Sequence, residues 1–117
     1  MEESILKSIR KRLGPESEAD GFDEDILMGI NSALNILTMN GVGPAEGLLV
    51  TDESTTWDEL TDNPRILGMV KDYVYFSVKQ GFDPSATSFV NQAQSEVMAS
   101  RLWYIREQLE YEKVINE

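Results

Sequence analysis

Phe22, Ile26, Ile30, Ala33 and Leu37 recur at steps of four, four, three and four residues, and Leu27 and Leu34 widen the same stripe. Those steps put all of these side chains on one side of an α-helix, whereas a half-buried strand would need an apolar residue at every second position. An apolar stripe this wide has to be covered, so the segment demands further helices packed against it. The pattern ends at Asn40-Gly41, where glycine readily takes the left-handed conformation that closes a helix. Asp23, Glu24 and Asp25 stand at the other end. There a carboxylate accepts from free backbone N–H groups and meets the positive end of the helix dipole.

The rest of the chain repeats this grammar. Ile5, Leu6, Ile9 and Leu13 predict a first helix over 3–13, stopped by Gly14-Pro15. Thr56-Trp57-Asp58-Glu59 has the form of a capping box and opens a short helix ending near Asp62. Asn63-Pro64 supplies a cap and a proline at the first helical position, and Ile66, Leu67, Val70, Tyr73, Val74 and Ser77 carry the next stripe to Gly81. Gly68 weakens that helix by roughly 1 kcal/mol relative to alanine, which suggests a close helix–helix approach there. Phe82-Asp83-Pro84 is a break, and a long helix restarts at Ser85 or Ser88 and runs to about Tyr111, with Phe89, Ala93, Val97, Leu102, Ile105 and Leu109 inward. Residues 112–117 are expected to fray. Residues 41–56 hold three glycines, a proline and the β-prone run Leu48 to Thr51, so an irregular projecting loop or small hairpin is expected near 42–56. The expectation is a predominantly all-α bundle of four main helices plus one short helix, in one domain over 1–117 with an ordered core of about 3–111.

The chain has no cysteine and no histidine. That removes disulfides, thiolate nucleophiles, the commonest acid–base residue and the commonest zinc ligand. Catalysis would rest on carboxylates, Lys, Tyr or Ser, and the expectation is a non-enzyme without cofactor or metal. The longest apolar runs fall far short of the ~20 residues that span a bilayer, and no secretory signal pattern opens the chain, so a soluble protein without membrane contact is expected. Net charge is −11 and unevenly spread: residues 14–64 contain no Lys or Arg at all. Such a surface repels nucleic-acid phosphates and attracts basic patches on a partner.

Six carboxylates, Glu16, Glu18, Asp20, Asp23, Glu24 and Asp25, fall within ten positions. Glu16, Glu18 and Asp20-Gly21 imitate the first half of a calcium loop, but position twelve from Glu16 is Leu27 rather than the closing glutamate. The carboxylates therefore read as a solvated loop and a helix cap. Gly41, Gly43 and Gly47 follow a helix rather than a strand, with the wrong spacing for a phosphate loop. Trp103 and Tyr104 lie between Arg101 and Arg106, which suits base stacking, yet Glu96, Glu107, Glu110 and Glu112 share the helix, so they read as core packing. Tyr73 reads inward, and Tyr75 or Phe76 suits an interface. Trp57 suits either a contact anchor or a plug at the end of the bundle.

Two stretches say more. The run FDEDILMGINSALNILTMNGVGP, followed by WDEL, VKDYVYFSVKQGFDPSATSFV and ASRLWYIREQLE, resembles the head–tail connector (adaptor) proteins of tailed phages and prophages. The resemblance runs from Ile5 to about Glu110. It rests on the order and spacing of Asp25-Ile26 with Ile30-Asn31-Ser32, then Gly41-Val42-Gly43, then Phe82-Asp83-Pro84 with Ser88-Phe89. It implies a virion protein of the head–tail interface, made in the bacterial host cytoplasm. Such proteins assemble as a ring beneath the portal and extend the DNA channel. The implied partners are further copies of the chain, the portal protein and a tail-side connector or completion protein, with DNA passing through without sequence-specific binding. Other phage morphogenesis proteins, such as a tail-completion factor, are the near alternative, and a carboxylate-metal hydrolase the distant one. A ring needs one patch to meet a different patch on the next copy. The expected pair is Lys7, Arg10, Lys11 and Arg12 against Glu16, Glu18, Asp20 and Asp23. Leu48, Leu49, Val50, Trp57, Lys113, Val114 and Ile115 are the expected portal or neighbour contacts.

Overall fold

The computed structural model describes residues 3–14, 23–82 and 88–115. Its order is α1 (Ile5–Leu13), α2 (Asp23–Met39), the one-turn α3 (Trp57–Leu60), α4 (Pro64–Phe82) and α5 (Ser88–Ile115). The chain is predominantly all-α, as its periodicity requires. Phe22, at the head of the apolar stripe, lies outside the described residues.

α2 is the helix the others cover. Its stripe of Ile26, Ile30, Ala33, Leu34 and Leu37 is fully buried, chiefly against α4 and then α1. α4 answers with Ile66, Val70, Tyr73, Val74 and Val78, and α1 with Ile5, Leu6 and Ile9. Each such aliphatic side chain contributes roughly 1.5–3 kcal/mol by leaving water. The closest helix approach is at Gly29 rather than at Gly68: a Cβ at Gly29 would lie 3.1 Å from Val78 Cγ2 and 3.3 Å from Val78 Cα. Gly68 has no neighbour within 4 Å of such a Cβ and faces solvent.

The 41–56 segment forms no hairpin. Val42 and Val50 are buried beside α2, and the polar backbone of Val50 is satisfied by the side chain of Asn31. Asn31 Nδ2 donates to the Val50 carbonyl at 2.9 Å, and the Val50 N–H donates to Asn31 Oδ1 at 2.8 Å. One amide side chain thus imitates a strand neighbour. Farther on, the segment pairs with the start of the chain instead of with itself: the Ile5 N–H donates to the Thr55 carbonyl at 3.0 Å, and the Trp57 N–H to the Glu3 carbonyl at 3.1 Å. This bridge at Ser4 and Thr56 is the strand-like pairing among the described residues. The Thr56 N–H then donates to Glu59 Oε2 at 2.8 Å, the glutamate half of the expected capping box.

α5 departs most from expectation. It continues through Ile115, four residues past the expected end at Tyr111. The reason is Glu112: its Oε2 accepts from Asn63 Nδ2 at 2.7 Å and its Oε1 from Arg65 Nη1 at 3.1 Å. The end of α5 is thereby tied to the start of antiparallel α4, where Asn63 Oδ1 also accepts from the Arg65 N–H. Among the described residues α5 packs chiefly against α4. Ile105 is fully buried and Met98, Leu102 and Leu109 pack against the core, but Ala93 and Val97, expected inward, are exposed. The Phe89 side chain is outside the description.

Two substitutions test this fold. Asn31→Ala leaves a buried N–H and a buried carbonyl without partners and should cost about 2–4 kcal/mol in chemical denaturation. Gly68→Ala should stabilise by about 0.5–1 kcal/mol, because nothing obstructs the added methyl and alanine is the better helix former.

Candidate functional site

Ser4 caps α1, its hydroxyl accepting from the Lys7 N–H at 3.2 Å, and burial of Ile5, Leu6 and Ile9 turns the cations of this helix outward. Most of them then find acids of their own chain. Arg10 is a fork between two segments: Nη1 donates to Glu53 Oε1 at 2.9 Å, and Nη2 to Asp23 Oδ2 at 3.1 Å. Lys7 Nζ lies 3.8 Å from Glu53 Oε2. Arg12 Nη1 donates to Asp72 Oδ1 at 3.0 Å while its guanidinium sits 4.0 Å from the Tyr75 ring centroid. Lys11 faces solvent. Asp23 therefore meets Arg10 inside one chain, while Glu16, Glu18 and Asp20 lie outside the described residues.

Of the expected partner contacts, two are core residues. Val50 and Trp57 are 1% and 2% exposed. Trp57 is the plug rather than the anchor: its indole Nε1 donates to Ser8 Oγ at 2.8 Å, and Lys71 lies over the ring at 5.8 Å. Burial wins because the backbone bridge at Thr56 aims the indole inward beneath α1. Leu48 packs partly against the core, whereas Leu49, Val114 and Ile115 are exposed. Lys113 is exposed beside Glu110.

Apolar surface that the sequence placed in the core lies open instead. Trp103 and Tyr104 stack edge-to-face at 5.1 Å and are each more than half exposed. Their burial fails because they lie away from α4, the helix that α5 chiefly packs against. Tyr111 is equally open, and on α2 so are Met28, Ile36 and Met39. Tyr73 is buried as expected, and burial raises its hydroxyl pKa. Tyr75 and Phe76 are half-buried under cations, with Arg101 4.7 Å from the Phe76 ring centroid and 3.7 Å from Asp72. Near the end of α5, Asn40, Arg106, Leu109 and Glu112 line an open groove of about 350 Å³ with charges of both signs. Among the described residues no group of three or more acids gathers as a metal cage would require, and no helix is long and apolar enough to cross a membrane.

The hydrogen bond from Arg10 holds the Glu53 carboxyl below its usual range, and Asn63 with Arg65 does the same for Glu112. A depressed carboxylate stabilises above its unfolded pKa and loses that contribution as pH falls through its folded pKa. Melting temperatures of the native chain and of Glu53→Gln should therefore differ at neutral pH and converge as pH drops below about 4. The gap at neutral pH should be small and shrink further in salt, since these pairs are open to water.

No curated protein and no solved structure matches the chain. The family model described as phage connector protein matches residues 5–112, nearly the whole length. It covers α1 to α4 and most of α5, and with them the Asn31 clamp, the Trp57 plug and the open faces of α2 and α5. With that match the chain belongs to the phage connector proteins, a structural component of phages.

Proposed function

We propose that this protein assembles as a ring beneath the portal, joins head to tail and prolongs the DNA channel without performing chemistry. The observation that carries the reading is the family match over residues 5–112. The structure supplies what a ring component needs. It has a buried core of its own and apolar surface left open on two different helices, as a contact between unlike patches requires. The net charge of −11 suits a wall along which DNA slides without sticking. Leu49 and Val114, exposed on the loop and at the end of α5, are the residues we assign to the portal or tail side. The α1 cations Lys7, Arg10 and Arg12 have intramolecular partners, so their part in assembly would come through exchange of those partners, whereas Lys11 is exposed to a neighbour directly.

Light scattering and negative-stain imaging test this, first on the protein alone and then with the portal protein of the same genome. Rings, or a stable stacked complex with portal, are expected. A monomer indifferent to portal would move the protein to another morphogenesis step.

A further inference from the structure

Two faces of this molecule are open, carry large exposed apolar residues and are built to similar spacing. On α5, Arg101, Tyr104, Tyr111 and Ile115 follow at steps of three, seven and four. On α2, Asp25, Met28, Ile36 and Met39 follow at steps of three, eight and three. Each set covers fourteen residue steps, about 21 Å of helix, and each falls within an arc of about 80° around its axis. Tyr104, Tyr111 and Ile115 are 58%, 59% and 49% exposed, and Met28, Ile36 and Met39 are 69%, 40% and 84% exposed.

The chemistry of the two faces is complementary. The α2 face begins with Asp23, Glu24 and Asp25, and α2 carries no base. The α5 face begins beside a positive surplus: Arg12 and Arg101 share the single carboxylate of Asp72, and Arg101 Nε is buried without a hydrogen bond. Lys79, on the same face of α4, lies over Tyr75. Beyond the charges, α2 offers thioethers and α5 offers aromatic rings, a pairing that is favourable in its own right.

Resting on the ring reading above, we infer that the α2 face of one copy seats on the α5 face of the next, with the two helices parallel. Asp25 then meets Arg101, Met28 meets Tyr104, Ile36 meets Tyr111 and Met39 meets Ile115. The occupant is a second copy of this chain because every copy carries both faces in one register. The contact joins unlike patches, so it propagates from copy to copy and closes into a ring when the rotation permits. Like-charge repulsion between copies of net −11 is locally relieved, since the acids of α2 land where cations outnumber acids.

The chain contains no cysteine, so introduced thiols report on this contact alone. Single variants Met28→Cys and Tyr104→Cys, mixed and treated with a short bis-maleimide, should give a cross-linked dimer, and Met39→Cys with Ile115→Cys should do the same. Met28→Cys with Val114→Cys should not, because Val114 is exposed on a different side of α5. Tyr104→Glu combined with Tyr111→Glu should weaken self-association by roughly tenfold or more and leave the melting temperature unchanged, as both side chains are largely open to water. Rings that form without either specific cross-link, or that link the Val114 control equally well, overturn this contact and leave the ring standing. A chain that never self-associates, alone or on portal, overturns both.

Discussion

The whole arrangement hangs on the two hydrogen bonds between Asn31 and the backbone of Val50. α2 packs chiefly against α4 and α1, and another side is closed by an irregular segment. An irregular segment brings backbone N–H and C=O groups that cannot be buried unpaired. Asn31 supplies a donor and an acceptor at the right spacing, so Val42 and Val50 can enter the core from a loop. The same logic closes the segment farther on, where Glu3 and Ile5 lend their backbone to Thr55 and Trp57. Once that bridge is made, Trp57 points beneath α1 and holds the short helix and the chain start together.

Charge is distributed by a related economy of partners. A chain with 21 acids and 10 bases has too few cations to give each carboxylate one of its own. Several of its cations are placed at seams. Arg10 joins α1 to the loop and to the head of α2, Arg12 and Arg101 converge on Asp72 of α4, and Arg65 with Asn63 fixes the end of α5. Individually such exposed pairs contribute little, about 0–1 kcal/mol. Their consequence is geometric, because each sets the position of one element on another while the buried aliphatic side chains supply the stability. Seating bases at seams leaves α2 without a cation, so the charges on its outer face are all acidic.

α5 shows how structure and function diverge from the same helix. At 28 residues it is about 42 Å long, yet among the described residues it packs chiefly against α4. A helix so placed buries one narrow stripe, here centred on Ile105, and leaves the remaining apolar residues in water. In a protein that acted alone, Trp103, Tyr104 and Tyr111 would be an uneconomical use of surface. In the ring proposed above, Tyr104 and Tyr111 belong to the contact with the next copy.

Helix number, helix starts and the all-α class were legible in the sequence, because a 3.6-residue apolar period and a cap such as Asn63-Pro64 act within a few residues of themselves. Asp23 to Asp25 read correctly as a helix start, and Tyr73 as a core residue, for that reason. The family resemblance was legible too, in the order of short motifs along the chain. Tertiary structure alone decided everything that depends on how many neighbours an element has. It placed Trp57 inside and Trp103 outside, since one lies under α1 and the other on the exposed side of α5. It gave the close approach to Gly29 and not to Gly68, extended α5 to Ile115 through a residue 49 positions away, and spent Arg10 on Glu53 and Asp23. Periodicity states which side of a helix is apolar; only the packing of the other helices determines whether that side meets protein or water.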